Sequence, residues 1–418
     1  MERAKLRDII LEQHTLIWPA VTISRSVYVD VSKLLAAKQI IIIAGLRRCG
    51  KSTLMQQIRA KLPERDYFFN FDDERLIHFS VEDFQVLHEL FIEIFGEQHT
   101  FYFDEIQNIP GWERFVRRLH DYGYKIYITG SNATMLSKEL GTRLTGRYIQ
   151  FNLYPYAFCE YLTMRNMSVQ YNTTLEKGRL HAAFNDFMQQ GGLPEYLALK
   201  NNDYLHDLYE SILYRDIIAR NKIGNQTALK ELVYFLASNV GKECTYNSLK
   251  NAVGLASATT LSDYCRYLED TYLCYFINRF DFSLKKQLHY AKKVYFVDQA
   301  LAQQIGFRCT DDMGRLLENI VFLELKRRKQ DIYFHKQKKE CDFITRHGRH
   351  VLQAIQVCVH LSDEKTKQRE IEGLLEAMEA YQLDTGLIIT LNDHGEEIIN
   401  PASPKTIKIV SIVTWLLG

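Results

Sequence analysis

Residues 40–55 read IIIIAGLRRCGKSTLM. Four consecutive isoleucines suit a strand buried on both faces, as parallel strands covered by helices are. The next eight residues, Gly45-Leu46-Arg47-Arg48-Cys49-Gly50-Lys51-Ser52, fit G-x-x-x-x-G-K-[ST]. The glycines allow the backbone to wrap tightly, so that its N–H groups point inward at an anion. A helical pattern follows at once, and its positive end faces the same anion. The stretch therefore predicts a phosphate loop. Lys51 is expected to reach the β and γ phosphates of a nucleoside triphosphate, and Ser52 to place its hydroxyl on Mg²⁺. Gly45, Arg47, Arg48, Cys49, Gly50 and Thr53 complete the expected lining. Arg47 and Arg48 either add charge at the phosphates or serve a solvated or inter-domain role.

Such a loop needs an acid at the end of a neighbouring strand. HTFYFDEIQ (99–107) supplies Asp104 and Glu105 after an apolar run. Asp104 is the expected second Mg²⁺ residue, and Glu105 the group that orients and activates water. KIYITGSNATML (125–136) ends another candidate strand at Ser131 or Asn132. Asn132 sits where a γ-phosphate sensor is expected, or it caps the next helix. No N-K-x-D motif follows near the end of this region, which favours ATP over GTP.

Outward from the loop, QIIIIAG, DYFFNFDD, TFYFDE and KIYITGS alternate with helical patterns. That order predicts an α/β fold with a parallel sheet wrapped by helices. The chain of 418 residues exceeds one ordinary core, so several domains are expected. The boundaries read as an N-terminal helix over 1–20, a P-loop core over 21–150, a helical lid over 151–222, a winged helix over 223–298 and a second α/β unit over 299–418. The winged-helix outline is three short helices followed by a basic hairpin, RFDFSLKKQLHYAKK (279–293). Lys285, Lys286, Lys292 and Lys293 are its candidate DNA contacts. The preceding helix, with Asp263, Glu269 and Asp270 against Arg266, is a poor reader of bases.

Fifty-two basic residues balance 51 acidic ones, so any nucleic-acid surface must be local. Eight cysteines without C-x-x-C pairs read as reduced thiols. Neither a secretory leader nor a membrane-length apolar run is present, and a cytoplasmic location is expected.

GLRRCGKST, FYFDEIQNIPGWE, ITGSNATMLSKEL, TRLTGR and LYPYAFCEYL, in this order, resemble the bacterial and archaeal AAA+-related ATPases of the archaeal-ATPase/STAND-like branch. The C-terminal half resembles the partner usually fused to them, a winged helix followed by a fold like the PD-(D/E)XK nucleases. The resemblance implies that Asp104 and Glu105 bind metal and activate water. It implies that Arg147, or alternatively Arg143, presents a finger to a nucleotide in the same or a neighbouring subunit. It also implies that the Gly192–Pro194 turn packs near the adenine, with Pro194 in contact. In the nuclease-like unit it points to Glu318, Asp342 and Gln356. Gln356 replaces an acid, and Cys358 stands where a lysine is expected, so a working nuclease is disfavoured; Lys336 or Lys339 could reach in. The resulting expectation is a multidomain ATPase that uses ATP and Mg²⁺ as a switch or motor. DNA, a protein partner and further copies of the chain are its candidate partners, and a membrane is not. A regulatory ATP-binding module with little turnover and a small-molecule phosphotransferase are the alternatives.

Overall fold

The computed structural model describes residues 1–16, 23–33, 35, 37–133, 144, 146–170, 172–307, 313–399 and 405–418. The chain forms two compact units, Met1–Tyr154 with Asp270–Tyr272, and Pro155–Glu269 with Leu273–Gly418. No helix among the described residues is long and apolar enough to cross a membrane.

The first unit is built on strands β1 (Ile40–Ala44), β2 (Tyr67–Asn70), β3 (Thr100–Asp104), β4 (Lys125–Gly130) and β5 (Tyr148–Asn152). Their order is β2-β3-β4-β1-β5, with every pairing parallel. All of β1 is buried, as its unbroken isoleucines require. Helices Lys51–Arg59, Asp83–Phe95 and Trp112–Asp121 turn apolar stripes inward through Leu54, Met55 and Ile58, then Phe84, Leu87 and Phe91, then Trp112, Phe115, Val116 and Leu119. The helix Arg3–Thr15 belongs to the same body. It buries Leu6, Ile9 and Ile10, and Gln13 exchanges hydrogen bonds with the Asn70 backbone at 3.0 and 2.8 Å. Because all five strands are parallel, Ala44, Asp104 and Gly130 end on one edge of the sheet. The sequence reading placed the acid on a strand neighbouring β1; β4 in fact lies between β1 and β3.

The second unit begins with helices Phe158–Met164, Thr174–Gln190, Pro194–Leu199 and Asn202–Ser211, the last running into a π-helical stretch Ile212–Ala219. Then come helix Gln226–Ser238, β6 (Glu243–Cys244), helices Tyr246–Ala252 and Ala258–Asp270, β7 (Cys274–Asn278) and β8 (Lys292–Phe296). These strands make an antiparallel sheet in the order β6-β8-β7. The expected basic hairpin is not continuous strand. Residues Leu284–His289 form a helix, because Asp281 gathers the turn: its carboxylate accepts from Ser283 N at 2.8 Å and its carbonyl from Gln287 Nε2 at 2.5 Å.

A six-stranded mixed sheet completes the unit: β9 (Asp331–Lys336), β10 (Glu340–His347), β11 (His350–Val357), β12 (Thr385–Thr390), β13 (Gly395–Ile399) and β14 (Lys405–Ser411). The order is β13-β14-β12-β11-β10-β9, with β11, β12 and β14 parallel. The helix Glu364–Ala380 covers this sheet with Ile371, Leu374, Ala377 and Met378. It lies so close that a Cβ on Gly373 would sit 2.1 Å from the Glu340 carbonyl.

Candidate nucleotide site in the first unit

The loop after β1 turns on two glycines. Gly45 has φ +156°, and a Cβ there would lie 2.2 Å from the Leu153 carbonyl oxygen, so no other residue fits. Gly50 is left-handed at φ 98° and hands the chain to the helix Lys51–Arg59, whose first bond runs from Leu54 N to Gly50 O at 2.9 Å. Arg48 adopts a left-handed φ of 62°, a backbone state uncommon for a side-chain-bearing residue. Buried Arg25 braces the loop from behind, donating to the Cys49 carbonyl at 2.9 Å and the Tyr154 carbonyl at 2.5 Å. Cys49 turns its buried thiol toward the Leu153 carbonyl at 3.4 Å, which leaves its side chain facing the protein interior. Arg47 lies 3.7 Å from Asp72, and Arg48 is exposed.

Three elements converge above this loop. Lys51, nearly fully buried, donates to the Leu46 carbonyl at 3.0 Å, and its Nζ lies 3.3 Å from Glu105 Oε1. Ser52 donates to Asp104 Oδ1 at 3.1 Å. Thr129, on the intervening strand β4, bonds the same Asp104 oxygen through its hydroxyl and accepts from Glu105 N at 3.1 Å. Glu105 stands in a left-handed conformation at φ 51°. Its Oε2 accepts from Gln107 Nε2 at 2.5 Å and from Ser131 Oγ at 2.9 Å. Asn132, the residue after Ser131, is buried.

The two carboxyls differ in character. Burial, with Glu105 next to it, pushes Asp104 up to about 6 against the hydrogen bonds of Thr129 and Ser52. Burial also works to raise Glu105, but the Lys51 ammonium, Gln107 and Ser131 carry it below its ordinary value. Lys51 is held above its ordinary value despite burial, chiefly by Glu105. A hydroxyl and a carboxylate 3.1 Å apart beside a phosphate-type loop form a donor set suited to Mg²⁺, a hard cation that keeps most of its shell as water and phosphate. Among the described residues no three His, Cys, Asp or Glu side chains converge as a protein-only metal site.

One expected group lies at the far end of the sheet. Arg147 is at the amino end of β1: its carbonyl accepts from Ile40 N at 2.8 Å and its Nε lies 3.3 Å from Asp121. The phosphate loop follows the carboxyl end of the same strand, about 13 Å away at an extended rise. Arg147 therefore cannot serve its own chain's loop, which corrects that half of the expectation. Arg143 lies outside the described residues. Pro194 opens a helix in the second unit, two residues after Gly192, whose N–H donates to Asp298 at 2.7 Å.

In the second unit Glu318, Asp342 and Gln356 do meet, but around a lysine that the sequence reading placed on DNA. Lys293, 1% exposed, lies 2.8 Å from Glu340, 3.1 Å from Asp342 and 3.2 Å from Glu318. Tyr295 donates to Glu318 at 2.5 Å, and burial pushes Glu318 up to about 7. Gln356 accepts from Asp342 N at 3.2 Å and donates to Glu370. An ammonium thus stands among the acids, and Lys293 is withdrawn as a DNA contact. Lys292 is half-buried and donates to Asn278. Lys336 bonds Glu243 and Glu340, and Lys339 bonds Glu372. Only Lys285 and Lys286 of the four candidates are exposed.

Sequence reasoning missed Arg25, Gln107, Thr129 and Tyr295. Thr129 carried a usable signal, a polar residue inside the buried run KIYITG.

A parallel sheet with this loop and these acids defines a P-loop α/β protein, and a family described as an AAA domain matches residues 37–162. A second, described as a domain of unknown function, matches residues 181–310. The chain is 33% identical over 428 residues to uncharacterized protein MJ1544 of Methanocaldococcus jannaschii, spanning 98% of this chain and 94% of that one. It is 30% identical over 392 residues to an uncharacterized protein of Haemophilus influenzae, spanning 90% and 94%. The chain belongs to the family that these proteins represent. Among solved structures, the Aeropyrum pernix ORC2 protein in its ADP form aligns at a TM-score of 0.34 and 12% identity, over 65% of this chain and 90% of that one.

Proposed function

We propose that the first unit binds Mg-ATP and hydrolyses it, and that this cycle is a switch read out by the second unit. The observation that carries the reading is the convergence of Lys51, Ser52, Asp104 and Glu105 on one point, with Ser52 bonded to Asp104 and Lys51 paired to Glu105. Residues 45–53 would hold the phosphates through backbone amides and Lys51. Ser52 and Asp104 would hold Mg²⁺, which when bound supplies a Lewis acid to the phosphate oxygens.

The chain's own chemistry follows from charge. Lys51 neutralises Glu105, and Gln107 and Ser131 hold the carboxylate in place. When Lys51 turns to the phosphates, Glu105 loses its counter-charge while remaining buried. Its affinity for a proton rises, and it becomes a better base for a water molecule. Release of Lys51 thus couples nucleotide binding to activation of the base. The same pairing favours slow turnover without a partner, which is the observation behind the second reading, a regulatory module. An acid placed to activate water argues against a phosphotransferase, because it would waste ATP. Arg147 would act only on the nucleotide of another copy.

The reading is tested by phosphate release from Mg-ATP. Wild-type protein turns over, and Glu105→Gln loses about a hundredfold or more in rate while still binding ATP. Equal turnover by Glu105→Gln would refute the role given to Glu105.

A further inference from the structure

The segment between β7 and β8 exposes three large apolar side chains within seven residues: Phe282 is 78% exposed, Leu284 69% and Leu288 63%. No other ten described residues expose three such side chains; elsewhere they are scattered, as on ordinary surfaces. Leu284 and Leu288 are four apart on one helix, so they form a stripe on one face. Lys285 and His289 lie on the adjoining face, and Lys286 beyond them.

The segment is anchored on its inner side. Phe282 packs edge-on against Phe280 at 5.3 Å and against Tyr381 at 6.3 Å. Phe280 itself is buried in the sheet core with Tyr333 and Tyr381 at 5.3 and 5.0 Å. Gln287, on the inner face, is buried and bonded to the Asp281 carbonyl. A partner would therefore meet a preformed surface and lose little by ordering it.

Charge selects the partner. Lys286 is 3.9 Å from Asp281 and 64% exposed, while Lys285 has no carboxylate partner among the described residues. We propose that Phe282, Leu284 and Leu288, flanked by Lys285 and Lys286, dock an acidic amphipathic segment of a protein partner, its apolar face on the leucines and its carboxylates on the lysines. Duplex DNA fits less well, because it would set three apolar side chains against phosphates with only two cations to offset them. This surface is independent of the nucleotide reading.

The test is a fluorescence-anisotropy titration with the full chain and a synthetic amphipathic peptide, leucine on one face and glutamate on the other. Saturable binding is expected, weakened about tenfold or more by Leu284→Asp with Leu288→Asp, and about threefold or more by Lys285→Glu with Lys286→Glu. All four side chains are exposed, so thermal midpoints should not move; Leu284→Asp alone serves if the double variant does not fold. The proposal is overturned if the peptide does not bind, if a lysine-bearing counterpart binds as well, or if the variants bind the glutamate peptide like wild type. It is equally overturned if the leucine variants keep the peptide but lose phosphatidylcholine–phosphatidylserine vesicles or duplex DNA.

Discussion

Lys51 Nζ lies 3.3 Å from Glu105 Oε1, so the cation of the loop after β1 and the acid that follows β3 neutralise each other. Binding must break this pair. Glu105→Gln removes the competitor while keeping the shape, and Lys51 is then free for phosphate. Titration calorimetry should show Mg-ATP binding to Glu105→Gln about three- to tenfold more tightly than to wild type. Weaker binding would mean that Glu105 supports the loop instead of restraining it.

Asp104 is the second titrating group. Its folded value of about 6 stands above its ordinary 3.8. The folded state therefore takes up its proton first. This contribution to stability is complete below the ordinary value and is lost as pH rises through about 6. At about pH 7.5 without Mg²⁺, Asp104→Asn should stabilise the protein by on the order of 1–3 kcal/mol, and the gain should vanish near pH 4. Thermal unfolding at the two pH values checks this. The same variant should lose turnover. A destabilised Asp104→Asn at the higher pH would contradict the assignment.

Lys293 holds Glu318, Asp342 and Glu340 together in the second unit. Lys293→Met leaves Asp342, which is buried, and the partly buried Glu318 and Glu340 without a cation and should cost about 3–5 kcal/mol. Without Lys293 the Glu318 and Glu340 carboxyls lose the cation that lowers their pKa values, so the deficit grows as pH rises and shrinks in acid. Wild-type protein with Mg²⁺ should leave supercoiled DNA intact, since the ammonium already fills the space between the acids. Cleavage by wild type, abolished in a folded Lys293 variant, would show that the lysine is catalytic instead.

Much of this was legible from residues 40–55 and 99–107, because a phosphate loop and its acid follow local rules of glycine freedom, strand burial and helix onset. Four strands of the parallel sheet follow from the same alternation; β5 (Tyr148–Asn152) does not, because it straddles the boundary read between the core and the helical lid. What was not legible depended on which strands become neighbours. Thr129 reaches Asp104 only because β4 lies between β1 and β3. Arg147 belongs to a motif that the resemblance tied to a nucleotide, yet its strand register places it at the amino end of β1. The lysine pair 292–293 held an unread clue: adjacent strand residues face opposite sides, so one of them had to turn inward. Asp281 and Gln287 made a helix where alternation alone suggested a ribbon.

In the function proposed for the first unit, residues 45–52 form a preshaped phosphate cage completed by Lys51. The most direct measurement is calorimetric titration of Mg-ATP into wild type and Lys51→Ala side by side. One saturable site per wild-type chain is predicted, with affinity lowered about tenfold or more in Lys51→Ala, as expected for loss of a charge-assisted contact of about 1.5–3 kcal/mol. Equal affinity in the two proteins, or no binding by wild type, would contradict the account.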